Sequence, residues 1–278
     1  MNSKRLADGW RLLKRRWRTV RGQEIFLAAQ VQCATLTFGN PGAAWSFCPA
    51  RLSGGSVVYS FGVGEEISFD RELIDRFRMT VHAFDPTPRS VAWVRAQALP
   101  DQFVFHPYGV AAQDGLRRFT PPRNPRHVSH TLLERGSPGA GIEVPVQRLS
   151  TIMRTLGHAR IDLLKMDVEG AEYEVIDDLL GSGVVIEQLL IEFHHRWPEV
   201  GIDKTRTAIH RLNHAGYRIF STSASGEEYG FLKTSAPWGG EPRSVESRGT
   251  SRVAEHQGSR TQTAVHESPR SSEYRPGR

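Results

Sequence analysis

The feature that most constrains this chain is an alternation: short, uniformly apolar runs exchange places with stretches whose apolar residues recur at helical spacing. "SVVYSFGVG" (56–64), "VHAFD" (81–85), "FVFHPYGV" (103–110), "RIDLLKMDV" (160–168) and "IEQLLIEF" (186–193) read as strands. "SFDRELIDRF" (68–77), "PRSVAWVRAQAL" (88–99), the segment carrying Ala171, Val175, Leu179 and Leu180, and the stretch from Asp203 to Ala215 before Gly216 read as helices. "IEVPVQRLSTIMRTL" (142–156) adds a strand and a helix, and "YRIFSTS" (217–223) with "EYGFLK" (228–233) closes the pattern as a hairpin across "ASGE". Strands apolar along their whole length need cover on both faces. The expected fold is therefore α/β, a mostly parallel sheet with helices on both faces and a C-terminal antiparallel hairpin.

The two ends fall outside this pattern. Residues 1–21 hold eight Lys/Arg against Asp8, a charge of +7, and residues 239–278 hold seven Arg against five Glu, a charge of +2. With +6 overall, the stretch between carries −3, so the basic balance belongs to the ends and gives no reason to expect nucleic acid on the body. Leu6, Trp10, Leu13, Trp17 and Val20 recur at helical spacing, which makes residues 1–30 a basic amphipathic helix. It is expected to pack on the body with its cationic face in solvent, with peripheral contact to anionic lipid, or to RNA, as the alternative. Residues 31–238 are the expected folded domain. Residues 239–278, with hardly any large apolar side chain, read as a disordered tail. No run approaches the roughly 20 apolar residues of a membrane span, and no signal-peptide pattern is present. Cys33 and Cys48 are too few for a disulfide framework and lack zinc-site spacing, so a reducing, cytoplasmic setting is expected.

In an open α/β sheet, ligands sit beyond the C-terminal ends of the strands. After the first strand comes "SFGVG", where Gly62 and Gly64 permit a sharp turn and close approach of the backbone to a ligand. After the second comes Asp85, placed either to accept the hydroxyls of a ribose or to cap the turn before Pro86. A dinucleotide fingerprint would need a third glycine where Ile67 stands, and Glu65 and Glu66 at a helix N-terminus would repel a pyrophosphate. Those two acids suit a cationic sulfonium cofactor, S-adenosylmethionine. In "LLKMDVEGAEYEVIDDLL" (163–180), Lys165 and Asp167 share one strand face and, with Glu169, reach the sheet edge at the mouth of the cleft. Lys165 and Asp167 either engage a ligand or form a structural ion pair, with an acid capping the helix that follows.

That stretch, with "VHAFDPTP" upstream and "LLIEFHHR" downstream, resembles the FkbM-type family of S-adenosylmethionine-dependent methyltransferases, whose hallmark is a K-x-D-x-E-G-x-E segment after the fourth strand. "VVYSFGVGEEISFD" is similar to the methyltransferase-like branch of that group, and the likeness spans roughly residues 45–235. The resemblance implies a class I methyltransferase, Rossmann-like fold, with Gly62 and Gly64 along the methionine part of S-adenosylmethionine, Asp85 and Pro86 at the ribose, and Asp167 at the methionine amino group or the acceptor. The acid usual two residues before the first glycine is Ser60 here, leaving Glu65 or Glu66 to replace it. The implied reaction is methylation of oxygen on a small-molecule or carbohydrate-like acceptor. His194 is the expected base, with Asp167 and Glu169 as alternatives and Lys165 beside them. Asp167, Glu169, Glu192 and His194 are suitable metal ligands, but no spacing singles them out and no metal is expected. The Pro-rich stretch 120–141, which contains His127 and His130, is the expected acceptor-side lid. A nucleoside-binding or RNA-associated protein with little catalysis, using the basic N-terminal helix, is the competing expectation.

Overall fold

A computed structural model describes residues 13, 16–22, 24–120 and 141–234. Its centre is a seven-stranded sheet built from β3 (Val57–Phe61), β4 (Thr80–Phe84), β5 (Phe103–His106), β9 (Ile161–Met166), β10 (Ile186–Glu192), β11 (Tyr217–Thr222) and β12 (Glu228–Lys233). The spatial order is β11-β12-β10-β9-β3-β4-β5. The five strands from β10 to β5 run parallel, and β12 joins antiparallel to both β10 and β11. From β3 the chain builds outward through β4 and β5, then returns to β9 on the other side of β3 and builds the opposite way. That reversal opens a crevice beyond the ends of β3 and β9, which is where such a sheet binds ligands.

Alternation along the strands divides the core in two. Tyr59, Phe61, Leu164 and Met166 pack with α3 (Leu149–Leu156), α4 (Glu172–Ser182) and α5 (Gly201–His214). Val58, Leu163 and Leu190 pack on the other face with α1 (Ser68–Phe77), α2 (Pro88–Arg95) and a hairpin of β1 (Leu36–Phe38) and β2 (Trp45–Phe47). All six residues of β9 are buried, Lys165 included, as befits the strand at the centre of the sheet.

Several expectations change. "FVFHPYGV" breaks after His106, and its last two residues form a separate strand, β6 (Gly109–Val110). The expected strand at 142–147, β8 (Ile142–Gln147), joins β6 and β7 (Gly115–Phe119) in a small three-stranded sheet. It contains Pro145 and alternates between buried and exposed residues, so it lacks the two-sided apolar character of a central strand. Cys33 and Cys48, too few for a disulfide framework, nonetheless form a disulfide with each other, Cα to Cα 6.0 Å. Gln188 on β10 holds the same corner, its amide accepting from the Cys48 N–H and donating to the Cys48 carbonyl, each at 2.9 Å.

The N-terminal helix also differs. Leu13, Trp17 and Val20, expected to face the body, are 60%, 56% and 88% exposed. Docking is done instead by the following segment. Glu24 and Ile25 are buried, and the Gln30 N–H and Oε1 bond the Ile219 carbonyl and N–H at 2.6 and 2.8 Å. Leu6, Trp10, most of the expected lid with His127 and His130, and the tail from 239 lie outside the described residues. Among the described residues, no helix is long and apolar enough to cross a membrane.

Candidate active site

One cavity opens at the crevice. It is lined by Gly62, Gly64, Glu65, Glu66, Asp70, Asp85 and Pro86 at one end, by Lys165 and Trp45 on its floor, and by Asp167, Glu169, Glu192 and Glu228 at the other end. Of the residues expected at the site, Gly62, Gly64, Glu65, Asp85, Pro86, Lys165, Asp167 and Glu169 line this cavity, and Ser60 and His194 do not.

At the glycine end, Gly62 has φ +81°, and a Cβ there would lie 1.7 Å from the Asp167 carbonyl oxygen. The ends of β3 and β9 approach so closely that only glycine fits. The Gly64 N–H donates to Asp85 Oδ2 at 2.9 Å, while Asp85 Oδ1 accepts from the N–H and hydroxyl of Thr87 at 2.9 and 2.7 Å. Asp85 thus fixes the turn that leads into α2, ties the glycine turn to β4 and lines the cavity. Glu65 forms a two-point pair with Arg89, at 2.9 and 2.8 Å, which holds its carboxyl below the ordinary range. Glu66 Oε1 accepts from the Ser68 N–H at 2.7 Å and so covers the N-terminus of α1. Both acids are engaged by neighbours.

Sequence reasoning missed Asp70. It lies on α1, 2% exposed, and lines the cavity, and its Oδ1 accepts no hydrogen bond. Burial pushes its pKa up to about 6 against the pull of Lys165 and Ser60. Ser60 itself is fully buried beneath the cavity. The signal was the first turn of an amphipathic helix with an acid on its apolar side: Asp70 follows Phe69 and shares a face with Leu73 and Ile74.

Lys165 and Asp167 do not form the expected ion pair. The Lys165 ammonium donates to the Gly62 and Phe61 carbonyls at 3.1 and 3.4 Å and lies 5.2 Å over the Trp45 ring. It fastens the glycine turn. Asp167 Oδ1 is buried without a hydrogen-bond partner, and burial together with Glu169 raises its pKa to about 6.

Beside it, "DVEGAE" makes a tight knot. Glu169 adopts φ +53°, uncommon for a non-glycine residue, and Gly170 follows at +97°. That turn points the Val168 and Gly170 N–H groups at Glu172 Oε1, at 3.2 and 3.1 Å. Glu172 is fully buried, and its Oε1 lies 3.0 Å from His194 Nδ1, while His194 Nε2 is 3.2 Å from Glu169 and 3.8 Å from Asp167. Burial disfavours charge on His194, but Glu172, Glu169 and Asp167 outweigh it and hold its pKa well above the ordinary value. His194 packs against Trp197, ring centroids 4.3 Å apart and planes tilted by 45°, and is not itself part of the cavity lining. Asp167, Glu172 and His194 offer ligand atoms within 4.8 Å of one another, a spacing that suits a cation. Glu172 Oε1 is already engaged by two amides and the imidazole, so the trio stands as an ion-paired histidine. His195, expected to be packed or solvated opposite its neighbour, is buried as well, its Nε2 2.7 Å from Glu24 Oε1 in the N-terminal segment.

Glu192, at the end of β10, has its pKa raised to about 9, first by burial and then by Asp167.

A switch-point crevice with a glycine turn, a following acid and charged residues closing the adjacent strand defines a Rossmann-like methyltransferase fold. Residues 35–219 match the family model described as the methyltransferase FkbM domain, and this chain belongs to that family. It is 27% identical over 175 residues to the probable methyltransferase-like protein 24 of Rattus norvegicus, covering 59% of this chain and 42% of that one. Its likeness to the Homo sapiens counterpart is 25% over 157 residues, covering 56% and 37%. The chain thus spans about two-fifths of the length of these curated relatives. Among solved structures it is similar to the methyltransferase FkbM of Methylobacillus flagellatus KT, with TM-score 0.41, 13% identity and coverage of 66% of this chain and 44% of that one. It is also similar to Aeropyrum pernix fibrillarin in complex with natively bound S-adenosyl-L-methionine, with TM-score 0.34, 11% identity and coverage of 74% and 84%.

Proposed function

We propose that this chain is an S-adenosylmethionine-dependent methyltransferase that methylates oxygen on a small-molecule or carbohydrate-like acceptor. The observation that carries the cofactor assignment is Asp70 with Lys165: two opposite charges lining one cavity floor, with a carboxylate oxygen buried and unpaired. The amino-acid end of S-adenosylmethionine is a zwitterion, so Asp70 would receive its ammonium and Lys165 would lie near its carboxylate. Gly62 and Gly64 would let the backbone approach that end, and Asp85 and Pro86 would lie at the ribose. Asp70 then takes the part expected of the acid missing at Ser60.

When bound, S-adenosylmethionine supplies an electrophilic methyl group whose sulfur leaves as a neutral thioether. The chain aligns the acceptor oxygen and removes its proton. Asp167 suits the second task, because its free Oδ1 and its pKa of about 6 leave it ionised and basic near neutral pH. His194, held as an imidazolium by Glu172, positions Glu169 and offsets the charge of Asp167 instead of acting as the base. The Cys33–Cys48 disulfide supports an oxidising compartment over the cytoplasmic one expected from the sequence.

The test is transfer of labelled methyl from S-adenosylmethionine to a panel of hydroxylated small molecules. Labelled methyl ethers lost in Asp167→Asn are expected. Products labelled only on nitrogen would overturn the oxygen assignment.

A further inference from the structure

The far end of the cavity holds more negative charge than the fold uses. The register of β10 and β12 sets Glu192 directly opposite Glu228, and both carboxyls line the cavity beside Asp167 and Glu169. Two carboxyls facing each other across a ladder cannot both ionise without cost, and Glu192 keeps its proton toward pH 9. The Ser223 and Ser225 hydroxyls donate to Glu228 Oε2. Asp167 Oδ1 is buried without a hydrogen-bond partner, 3.8 Å from His194 Nε2. The nearby cations are committed: Lys165 to the carbonyls of the glycine turn, His194 to Glu172 and Glu169. No arginine lines the cavity among the described residues. Burial first, and then a neighbouring acid, raises the pKa of both Asp167 and Glu192.

We propose that the Glu192–Glu228 pair is the recognition site for a protonated amine on the acceptor, so that the substrate class is an amino-alcohol, in its simplest form an amino sugar, and acceptors bearing phosphate, sulfate or carboxylate are rejected. This rests on the methyltransferase assignment. The ammonium sits between the two glutamates, taking the place of the proton that Glu192 otherwise keeps, and a neighbouring hydroxyl reaches Asp167. The methyl carbon exchanges its bond to sulfur for one to the acceptor oxygen, whose proton passes to Asp167.

The full chain, saturated with S-adenosylhomocysteine, is melted with glucosamine, with N-acetylglucosamine and with magnesium chloride. Glucosamine is expected to raise the Tm by about 2 °C or more and N-acetylglucosamine, which lacks the charge, to leave it unchanged. The shift should vanish in Glu192→Gln and Glu228→Gln. Unliganded Glu192→Gln should melt above the unsubstituted protein at pH 8, which a merely structural glutamate would not produce. Equal responses to the two sugars, no response to glucosamine, or a glucosamine shift that survives both substitutions would overturn the proposal. A magnesium-induced shift that both substitutions remove would also overturn it, by assigning the pair to a divalent ion. If S-adenosylhomocysteine itself fails to stabilise the folded chain, it is the methyltransferase assignment that falls.

Discussion

The two ends of the cavity hold similar numbers of acids and treat them differently. At the glycine end Asp85, Glu65 and Glu66 each meet donors: the Gly64 and Thr87 amides, the Arg89 guanidinium and the Ser68 amide. These acids hold loops in place, and Asp70 alone is left open. At the far end Asp167 shares His194 with Glu169 and Glu172, and Glu192 stands across the ladder from Glu228, which among the described residues meets only the Ser223 and Ser225 hydroxyls. A carboxylate with donors is part of the scaffold, whereas a buried carboxylate without them stores unfavourable energy that a ligand can release.

The largest effect should come from the joint between the two ends. Gly62→Ala would drive a methyl into the Asp167 carbonyl and force φ +81° on an alanine. A loss on the order of 4 kcal/mol by urea denaturation is expected, with cofactor binding abolished. A stable, cofactor-binding variant would break the idea that the strand ends must touch.

Glu172→Gln comes next. It turns an acceptor of two amides and an imidazole into a group with a donor facing them, and should cost about 2 to 3 kcal/mol. In nitrogen-15 spectra the His194 pKa should fall toward its ordinary value. An unchanged titration would mean that Glu169 and Asp167 alone hold the charge.

A smaller effect concerns pH. The folded-state pKa of Glu192 stands at about 9, far above its ordinary 4.5, so the native state keeps a proton that the unfolded chain gives up. Its contribution to stability is fully present below about pH 4.5 and is lost as pH rises toward 9. Tm profiles of Glu192→Gln should therefore be flatter across that range, and higher than the unsubstituted protein at its upper limit. Parallel profiles would sharpen the contrast the other way, placing Glu192 among the satisfied acids.

The smallest effect is expected at Glu65→Ala. Its pair with Arg89 is solvent-exposed, so neither Tm nor cofactor affinity should change measurably. Substantial loss of affinity would return Glu65 to the part played here by Asp70.

The strands of the central sheet were legible because each is apolar on both faces, and the cleft followed from the reversal of strand order. The small sheet was not, because β6 and β7 lean on β8, which itself looks like a strand of any sheet. The positions of Gly62, Asp85 and Asp167 were legible, but not their partners: Lys165 bonds carbonyls 103 and 104 residues away in the chain. Asp70 and Glu172 looked like ordinary helix-start acids, and only tertiary packing buries them. The disulfide escaped because the two cysteines stand 15 positions apart and only the β1–β2 hairpin between them brings them together.

The most direct test of the central claim is calorimetric titration of the folded chain with S-adenosylmethionine beside Asp70→Asn, which keeps the shape and removes the charge. Micromolar binding, weakened about tenfold or more by the substitution, is the predicted result. Binding unchanged in Asp70→Asn, or no binding by the unsubstituted folded protein, would contradict it.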